Sequence, residues 1–255
     1  MKQNLFDLTG KTALVTGSGR GLGLGIARGL AAHGATVVLN DLDESKLGKA
    51  VATIKEEGGE VRTQVFDVTD QAAVTAGIAG IEKEVGPIDI LVNNAGIQRR
   101  HPLEEFPEDE WRQVLEMNLT SPFVVSKAVV AHMIPRKQGK IINVCSLNSE
   151  VSRPSIAPYT AAKGGLRMLT KSMALEWAKY NIQSNGIGPG YFDTEMTEAL
   201  VQDPEFDAFI RKRVPQGRWG IPDDLSGVAV FLASPGSDYV NGQLIFVDGG
   251  MLTTI

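Results

Sequence analysis

Short runs of β-branched and apolar residues alternate with longer stretches of helical periodicity from one end of this 255-residue chain to the other, and that rhythm admits few folds. Successive strands separated by a helix can share a sheet only if the helix crosses back over it, which makes the strands parallel. The expected strands are Thr12–Thr16, Thr36–Asn40, Val61–Phe66, Ile88–Val92, Lys140–Val144, Ile182–Gly186 and Gln243–Val247. Each is compact and mostly apolar, as strands covered on both faces must be. Helices are expected between them. Leu22–His33 repeats Leu22, Ile26, Ala27 and Leu30 on one face, and Asp43–Glu57 repeats Leu47, Val51 and Ile54. Gly34, Gly58 and Gly86 stand where helices should stop. Pro107 opens a helix through Val114 and Phe123 to Met133, and Pro158 opens another through Leu166 and Leu169 to Trp177. From Gly190 to Gly220 the rhythm breaks, with Pro204 and Pro215 and few β-branched residues. That stretch, residues 190–220, reads as a lid over a site, with a merely decorative insertion as the alternative.

Charge and cysteine content narrow the classes of function. A net charge of −5 without clustered Lys or Arg offers no electrostatic footprint for nucleic acid or for an anionic membrane, so a small-molecule partner is expected. The single cysteine, Cys145, excludes an internal disulfide and has no Cys or His at metal-ligand spacing, so no metal site is expected. Met1–Leu14 lacks a long apolar stretch after a basic start, and no run reads as long enough to span a bilayer. A cytoplasmic protein is the expectation.

Directly after the first strand comes Thr16-Gly17-Ser18-Gly19-Arg20-Gly21-Leu22-Gly23, and then a helix. Glycines at a helix N-terminus let backbone N–H groups approach a pyrophosphate, with the helix dipole favouring the negative charge. Gly17, Ser18, Arg20, Gly21, Leu22 and Gly23 are therefore candidate dinucleotide contacts. Glycine-rich turns also occur without ligands, and the second strand supplies the check. It ends in Asn40-Asp41, near the offset at which an acid accepts hydrogen bonds from an adenosine ribose. Asp41 can also be read as a cap for the helix that follows. Asp67-Val68, after the third strand, and Asn93-Asn94-Ala95-Gly96, after the fourth, fall on the same carboxyl edge; Asp67, Val68, Asn94, Ala95 and Gly96 join the candidate contacts, with turn formation as the alternative.

Tyr159 and Lys163 are four residues apart at the start of a helix and so share a face. An ammonium beside a phenol stabilises the phenolate and draws its pKa toward neutrality, which turns a poor base into a usable one. A surface pair is the alternative. Ser146, closing the fifth strand at the carboxyl edge, favours the catalytic reading, because its hydroxyl could hold a reacting oxygen beside Tyr159. Asn118 is a polar residue at a helical position that propensity does not favour.

In this order and spacing, Thr16-Gly17-x-x-x-Gly21-x-Gly23, Asn93-Asn94-Ala95-Gly96, Asn118, Ser146, Tyr159-x-x-x-Lys163 and Pro189-Gly190 resemble the short-chain dehydrogenase/reductases over essentially the whole chain. The resemblance implies a single-domain Rossmann fold over residues 1–255, with a doubly wound seven-stranded parallel sheet and helices on both faces. It implies an NAD(P)-dependent oxidoreductase that interconverts a secondary alcohol and a ketone. Tyr159 would be the acid/base, Ser146 would orient the substrate oxygen, Lys163 would also bind the nicotinamide ribose, and Asn118 would support a water relay. Pro189 and Gly190 would line the cofactor, Thr194 would hold the carboxamide, and the assembly would be a homotetramer.

Gly96-Ile97-Gln98-Arg99-Arg100-His101-Pro102, with Lys140–Ser146, Gly186–Phe192 and Phe246–Leu252, resembles the branch of this family that acts on sugar acids. A buried carboxylate demands paired cations. Arg99, Arg100, His101 and Arg153 are candidates for that pairing, with Tyr191 beside them and Glu150 as an acceptor for sugar hydroxyls. Asp41 would repel a 2′-phosphate and favours NAD, while Arg20 keeps NADP open, so NAD or dual use is expected. A reductase of carrier-protein-bound acyl groups or a deoxygluconate dehydrogenase would share these catalytic residues. A dinucleotide-binding sensor without catalysis could dispense with them.

Overall fold

The computed structural model describes residues 4–253; Met1–Gln3, at the head of the Met1–Leu14 stretch, and residues 254–255 lie outside it. The chain alternates strand and helix as β1 (Thr12–Thr16), α1 (Gly21–Ala32), β2 (Thr36–Asn40), α2 (Glu44–Glu56), β3 (Val61–Thr63), α3 (Gln71–Glu84), β4 (Ile88–Asn93), α4 (Glu108–Leu115), α5 (Ser121–Arg136), β5 (Gly139–Val144), α6 (Ala157–Trp177), β6 (Ile182–Pro189), α7 (Glu198–Val201), α8 (Pro204–Arg213), α9 (Ser226–Ala233) and β7 (Leu244–Val247). All seven strands pair in parallel in the order β3-β2-β1-β4-β5-β6-β7. This is the doubly wound Rossmann arrangement expected from the sequence.

Side chains alternate across the pleat, and the strands divide their apolar residues between two core layers. Val15, Val37, Leu39, Val92, Ile142 and Ile187 pack with Ile26 and Leu30 of α1, Leu47 and Ile54 of α2, and Val230 and Leu232 of α9. Leu14, Val38, Leu91 and Ile141 point the other way, onto Val74 and Ile78 of α3, Val125, Val129 and Met133 of α5, and Met173 of α6. Burying each such aliphatic side chain contributes about 1.5–3 kcal/mol. Gly34, Gly58 and Gly86 do end helices, with φ of 96°, 80° and 139°, values open to glycine at little cost.

Several boundaries differ from expectation. The third strand stops at Thr63 instead of Phe66, because the Asn40 side chain donates Nδ2 to the carbonyls of Gln64 and Phe66, both at 3.0 Å, in place of strand pairing. The sixth strand continues to Pro189 because Gly186–Pro189 pair with Leu244–Val247. Gly188 is needed there, since a Cβ would stand 2.5 Å from the Phe246 ring. The stretch 190–220 contains α7 and α8 and has an apolar cluster of its own, with Ile210, Val214 and Trp219 buried beside Tyr191 and Phe206.

The helix opened by Pro107 is continuous from Glu108 to Arg136, and an 18-residue window within these 29 residues reaches a mean hydropathy of 1.2, so that by length and composition alone it passes for a membrane-crossing helix. Its apolar residues Val125, Val129, Val130 and Met133 are buried in the second core layer instead. A π-helical turn, Glu116–Thr120, interrupts it around Asn118.

Candidate active site

The strand order reverses between β1 and β4, and crossovers that leave these neighbours for opposite faces part at the carboxyl edge of the sheet. A cleft of about 380 Å3 opens there. At one end the glycine loop is stapled to β4: Asn94 Nδ2 donates to the carbonyls of Thr16 (2.9 Å) and Gly17 (2.8 Å), and Thr16 Oγ1 accepts from the N–H groups of Asn94 and Ala95. Gly17 and Gly21 have φ of 60° and 56°. A Cβ on Gly17 would lie 2.8 Å from Ala95 Cα, and one on Gly23 would lie 2.4 Å from Asn94 Nδ2. Arg20, the N-cap of α1, makes no side-chain cap, so the positive end of the helix opens on the cleft. These features fit a dinucleotide pyrophosphate, for which Gly17, Gly21, Leu22 and Gly23 would form the cradle.

Asp41, Asp67, Val68, Asn94, Ala95, Gly96, Pro189, Gly190 and Thr194 also line the cleft. Ser18 does not, and its expected place as a cofactor contact is corrected. It is fully buried, its hydroxyl donates to Val15 O at 2.7 Å and accepts from the Asn40 N–H, and it ties β1 to β2. Asp67 Oδ1 accepts from the N–H and hydroxyl of Thr69, which closes the turn after β3.

Further along the cleft, Asn118, Ser146, Tyr159 and Lys163 converge. The extended Ser146 caps a short turn, its Oγ accepting from the Asn148 N–H at 3.1 Å. Lys163 is buried and donates Nζ to Val144 O, the last carbonyl of β5, at 2.7 Å. Its ammonium lies 5.6 Å from the centroid of the Tyr159 ring. Burial lowers the Lys163 pKa to about 8. Burial also raises the Tyr159 pKa, although the Ser146 hydroxyl draws it back. The expected depression of Tyr159 by Lys163 does not enter this shift. Asn118, in the π turn, donates Nδ2 to Ile97 O (2.8 Å) and Val114 O (2.9 Å), while its buried Oδ1 has no partner. A π-helical turn at such a position re-aims one side chain at the cost of helix regularity.

Of the residues expected to meet the substrate, Arg100 and Arg153 line the cleft, as does Tyr191. Arg153 donates to the Tyr191 hydroxyl at 2.9 Å and its guanidinium lies over the Phe206 ring at 5.3 Å. Arg100 donates to Gln98 Oε1 at 3.0 Å, and desolvation together with the nearby Arg153 lowers its pKa against an opposing effect of Tyr191. The other three candidates are corrected. Arg99 is exposed and turns to Gln98 O and Glu110, and His101 bonds Glu110 at 2.9 Å while packing edge-on against Phe106. Glu150 is paired with Arg167 at 2.6 Å. None of the three lines the cleft, because a loop residue is held by whichever partner the neighbouring elements offer. Gln98 and Asn148 do line it, and only their neighbours Arg100 and Ser146 marked them in the sequence.

A doubly wound sheet with a glycine cradle at its switch point and a Ser/Tyr/Lys cluster beside it defines a nicotinamide-dependent oxidoreductase acting on CH–OH groups. The chain belongs to the short chain dehydrogenase family, whose pattern it matches over residues 11–205. It is 54% identical over 252 residues to a gluconate 5-dehydrogenase of Gluconobacter oxydans, with 99% of this chain and 98% of the other covered. It is 52% identical over 252 residues to the 5-keto-D-gluconate 5-reductase of Escherichia coli K12, with 99% of each covered. A crystal structure of a gluconate 5-dehydrogenase from Burkholderia cenocepacia, in complex with NADP and tartrate, superposes with a TM-score of 0.95 at 53% identity over 98% of each chain.

The Lys163 pKa has a consequence for stability. A folded-state value of about 8 lies below the ordinary 10.5, so between these values the unfolded chain binds the extra proton and stability rises with pH. The contribution is fully present above the unfolded value and is lost as pH falls through about 8. Denaturant unfolding of the protein and of Lys163→Met between pH 7 and pH 10 is expected to show a wild-type stability that climbs relative to the variant. Parallel curves would show that Lys163 keeps an ordinary pKa.

Proposed function

We propose that the protein interconverts D-gluconate and 5-keto-D-gluconate with a nicotinamide dinucleotide in the cytoplasm. The observation that carries the sugar-acid reading is the pair of guanidiniums, Arg100 and Arg153, that line the cleft beyond Ser146 and Tyr159 without a carboxylate partner among the described residues. Two cations near each other lack a counter-charge, and a substrate carboxylate would supply it. The names of the relatives at 52% and 54% identity support the choice of acid.

In the reaction, the bound nicotinamide gives or takes the hydride at the substrate carbon. Ser146 Oγ holds the reacting oxygen, and Tyr159 passes the proton to it during ketone reduction and takes it back during alcohol oxidation. Lys163, with donors beyond the one used on Val144, would bind the nicotinamide ribose and return a proton to Tyr159 from a relaying water held by the unpartnered Oδ1 of Asn118. Thr194 holds the carboxamide, and the stretch 190–220 covers the substrate as a lid. Both NAD and NADP are accepted, because Asp41 suits a free ribose whereas Arg20 is a potential phosphate partner; the Burkholderia relative was crystallised with NADP. The assembly is a homotetramer. It is supported by β7, an edge strand only half covered, and by the exposed apolar side chains of Phe123 (α5), Met168 and Leu175 (α6) and Tyr239. Light scattering at micromolar concentration is expected to give four times the chain mass; the mass of one chain would end this part of the reading.

Tyr159→Phe is expected to lower turnover at least a hundredfold while dinucleotide binding, followed by quenching of tryptophan fluorescence, stays within about twofold. Wild-type turnover under conditions where chemistry limits the rate would remove Tyr159 from the acid/base role. For the sugar acid, Arg100→Ala and Arg153→Ala are compared on gluconate, on deoxygluconate and on an uncharged polyol, with both dinucleotides. Loss of a desolvated arginine–carboxylate pair costs roughly 2–5 kcal/mol, so kcat/KM for gluconate is expected to fall by a factor of thirty or more in at least one variant, while polyol turnover holds. Full activity of both variants on gluconate would place the carboxylate elsewhere.

A further inference from the structure

The adenosine end of the cleft carries an unusual charge arrangement: both of its cations are already engaged. Arg20 and Lys46 line this end together with Asp41 and Glu195. Lys46 Nζ is paired with Asp43 at 3.0 Å. The Arg20 guanidinium is paired with Glu195, which comes from the opposite bank, 175 positions along the chain. Asp41 has no cation partner among the described residues; one of its oxygens accepts from the Asp43 N–H, and the other lies 2.9 Å from where a Cβ on Gly19 would stand. A ribose with a free 2′-hydroxyl meets at this place an acceptor and two neutralised cations. A 2′-phosphate would meet the Asp41 carboxylate and, among the described residues that line this end, two cations already paired.

Glu195 is held where it is by more than the ion pair. Thr197 Oγ1 donates to Phe192 O at 2.6 Å and accepts from the Thr194 N–H at 3.0 Å, which closes residues 192–197 into a compact turn. The Thr194 side chain rests on the glycine loop, 3.9 Å from where a Cβ on Gly21 would lie. The backbone that carries Glu195 is therefore held beside the loop independently of the ion pair. The Arg20 and Glu195 side chains are 48% and 59% exposed, so their pair is weak and a phosphate can compete with it.

We propose that Glu195 sets the dinucleotide preference by competing with the 2′-phosphate of NADP for the Arg20 guanidinium. NAD leaves the pair across the cleft mouth intact. NADP takes Arg20 from Glu195 and forgoes that pair, so its affinity is held down and the tie between the glycine loop and the 192–197 turn is released. Glu195 is thus a specificity determinant that acts through Arg20. The proposal rests on the dinucleotide reading of the cleft and is independent of the sugar acid.

The test is direct binding of NADH and NADPH, without substrate, to wild type, Glu195→Gln, Arg20→Ala and the double variant. Quenching of tryptophan fluorescence and enhancement of the dihydronicotinamide emission give the Kd values. In Glu195→Gln the ratio Kd(NADH)/Kd(NADPH) is expected to rise roughly three- to tenfold, with the gain shrinking as ionic strength rises. Arg20→Ala should lower the ratio, and adding Glu195→Gln to Arg20→Ala should then change nothing. An unchanged ratio in Glu195→Gln overturns the proposal. So does an equal rise with and without Arg20, which would mean that Glu195 repels the phosphate directly. If neither dinucleotide binds any of the proteins, it is the dinucleotide reading that fails, and this result is distinct from the other two.

Discussion

The structure depends on one topological constraint, the reversal of strand order between β1 and β4 at the centre of the sheet. Two parallel strands whose crossovers leave for opposite faces must part at their carboxyl ends, and the gap cannot be filled by either helix. The protein fixes the width of this gap with the Asn94 amide and the Thr16 hydroxyl, which join the ends of the two strands through four hydrogen bonds. The glycine cradle, the open end of α1 and the cleft itself exist only while that junction holds.

Around the junction the protein places polar groups in positions that a stable core would exclude. Lys163 is buried at the end of β5 with one carbonyl to receive it, and its lowered pKa is the measure of the desolvation involved. A buried polar chain runs beneath it: Asn93 donates to Ser126 and Asn143, and Asn143 donates to Thr170. These bonds tie the sheet to α5 and to α6, the helix that carries Tyr159 and Lys163. Such a network specifies one relative position of helix and strand, because each misplacement leaves a buried group unpaired.

The two banks of the cleft differ in construction. The sheet bank is covered by deep core, whereas the bank formed by residues 190–220 has its own small cluster around Trp219 and Ile210. Phe192 anchors the second bank in the main core, and across the cleft mouth the contacts are made by arginines: Arg153 reaches Tyr191 and Phe206, and Arg20 reaches Glu195. Polar contacts across a wet cleft are weak individually, and a ligand that offers either arginine a better partner changes how the banks are joined. On the proposed function, substrate and dinucleotide would both act on the same bank, from opposite ends.

The sequence alone determined the alternation of strand and helix, the glycine loop and the Ser146, Tyr159 and Lys163 set, because periodicity and fixed local spacing are properties of neighbours along the chain. Helix stops at Gly34, Gly58 and Gly86 were legible for the same reason. What lay between residues distant in sequence was not. The early end of β3 depends on the Asn40 side chain, and the extension of β6 depends on β7. Ser18 reads as a ligand contact by its place in the loop, yet the tertiary structure turns it into a buried tie between strands. Arg99, Arg100, His101 and Arg153 look equivalent as letters, and only packing separates them: Glu110 draws away the first and third, while the second and fourth are left facing the cleft. The pairing of Arg20 with Glu195 spans 175 positions. No local pattern records such a contact, because it arises only when the sheet has brought the two ends of the cleft together.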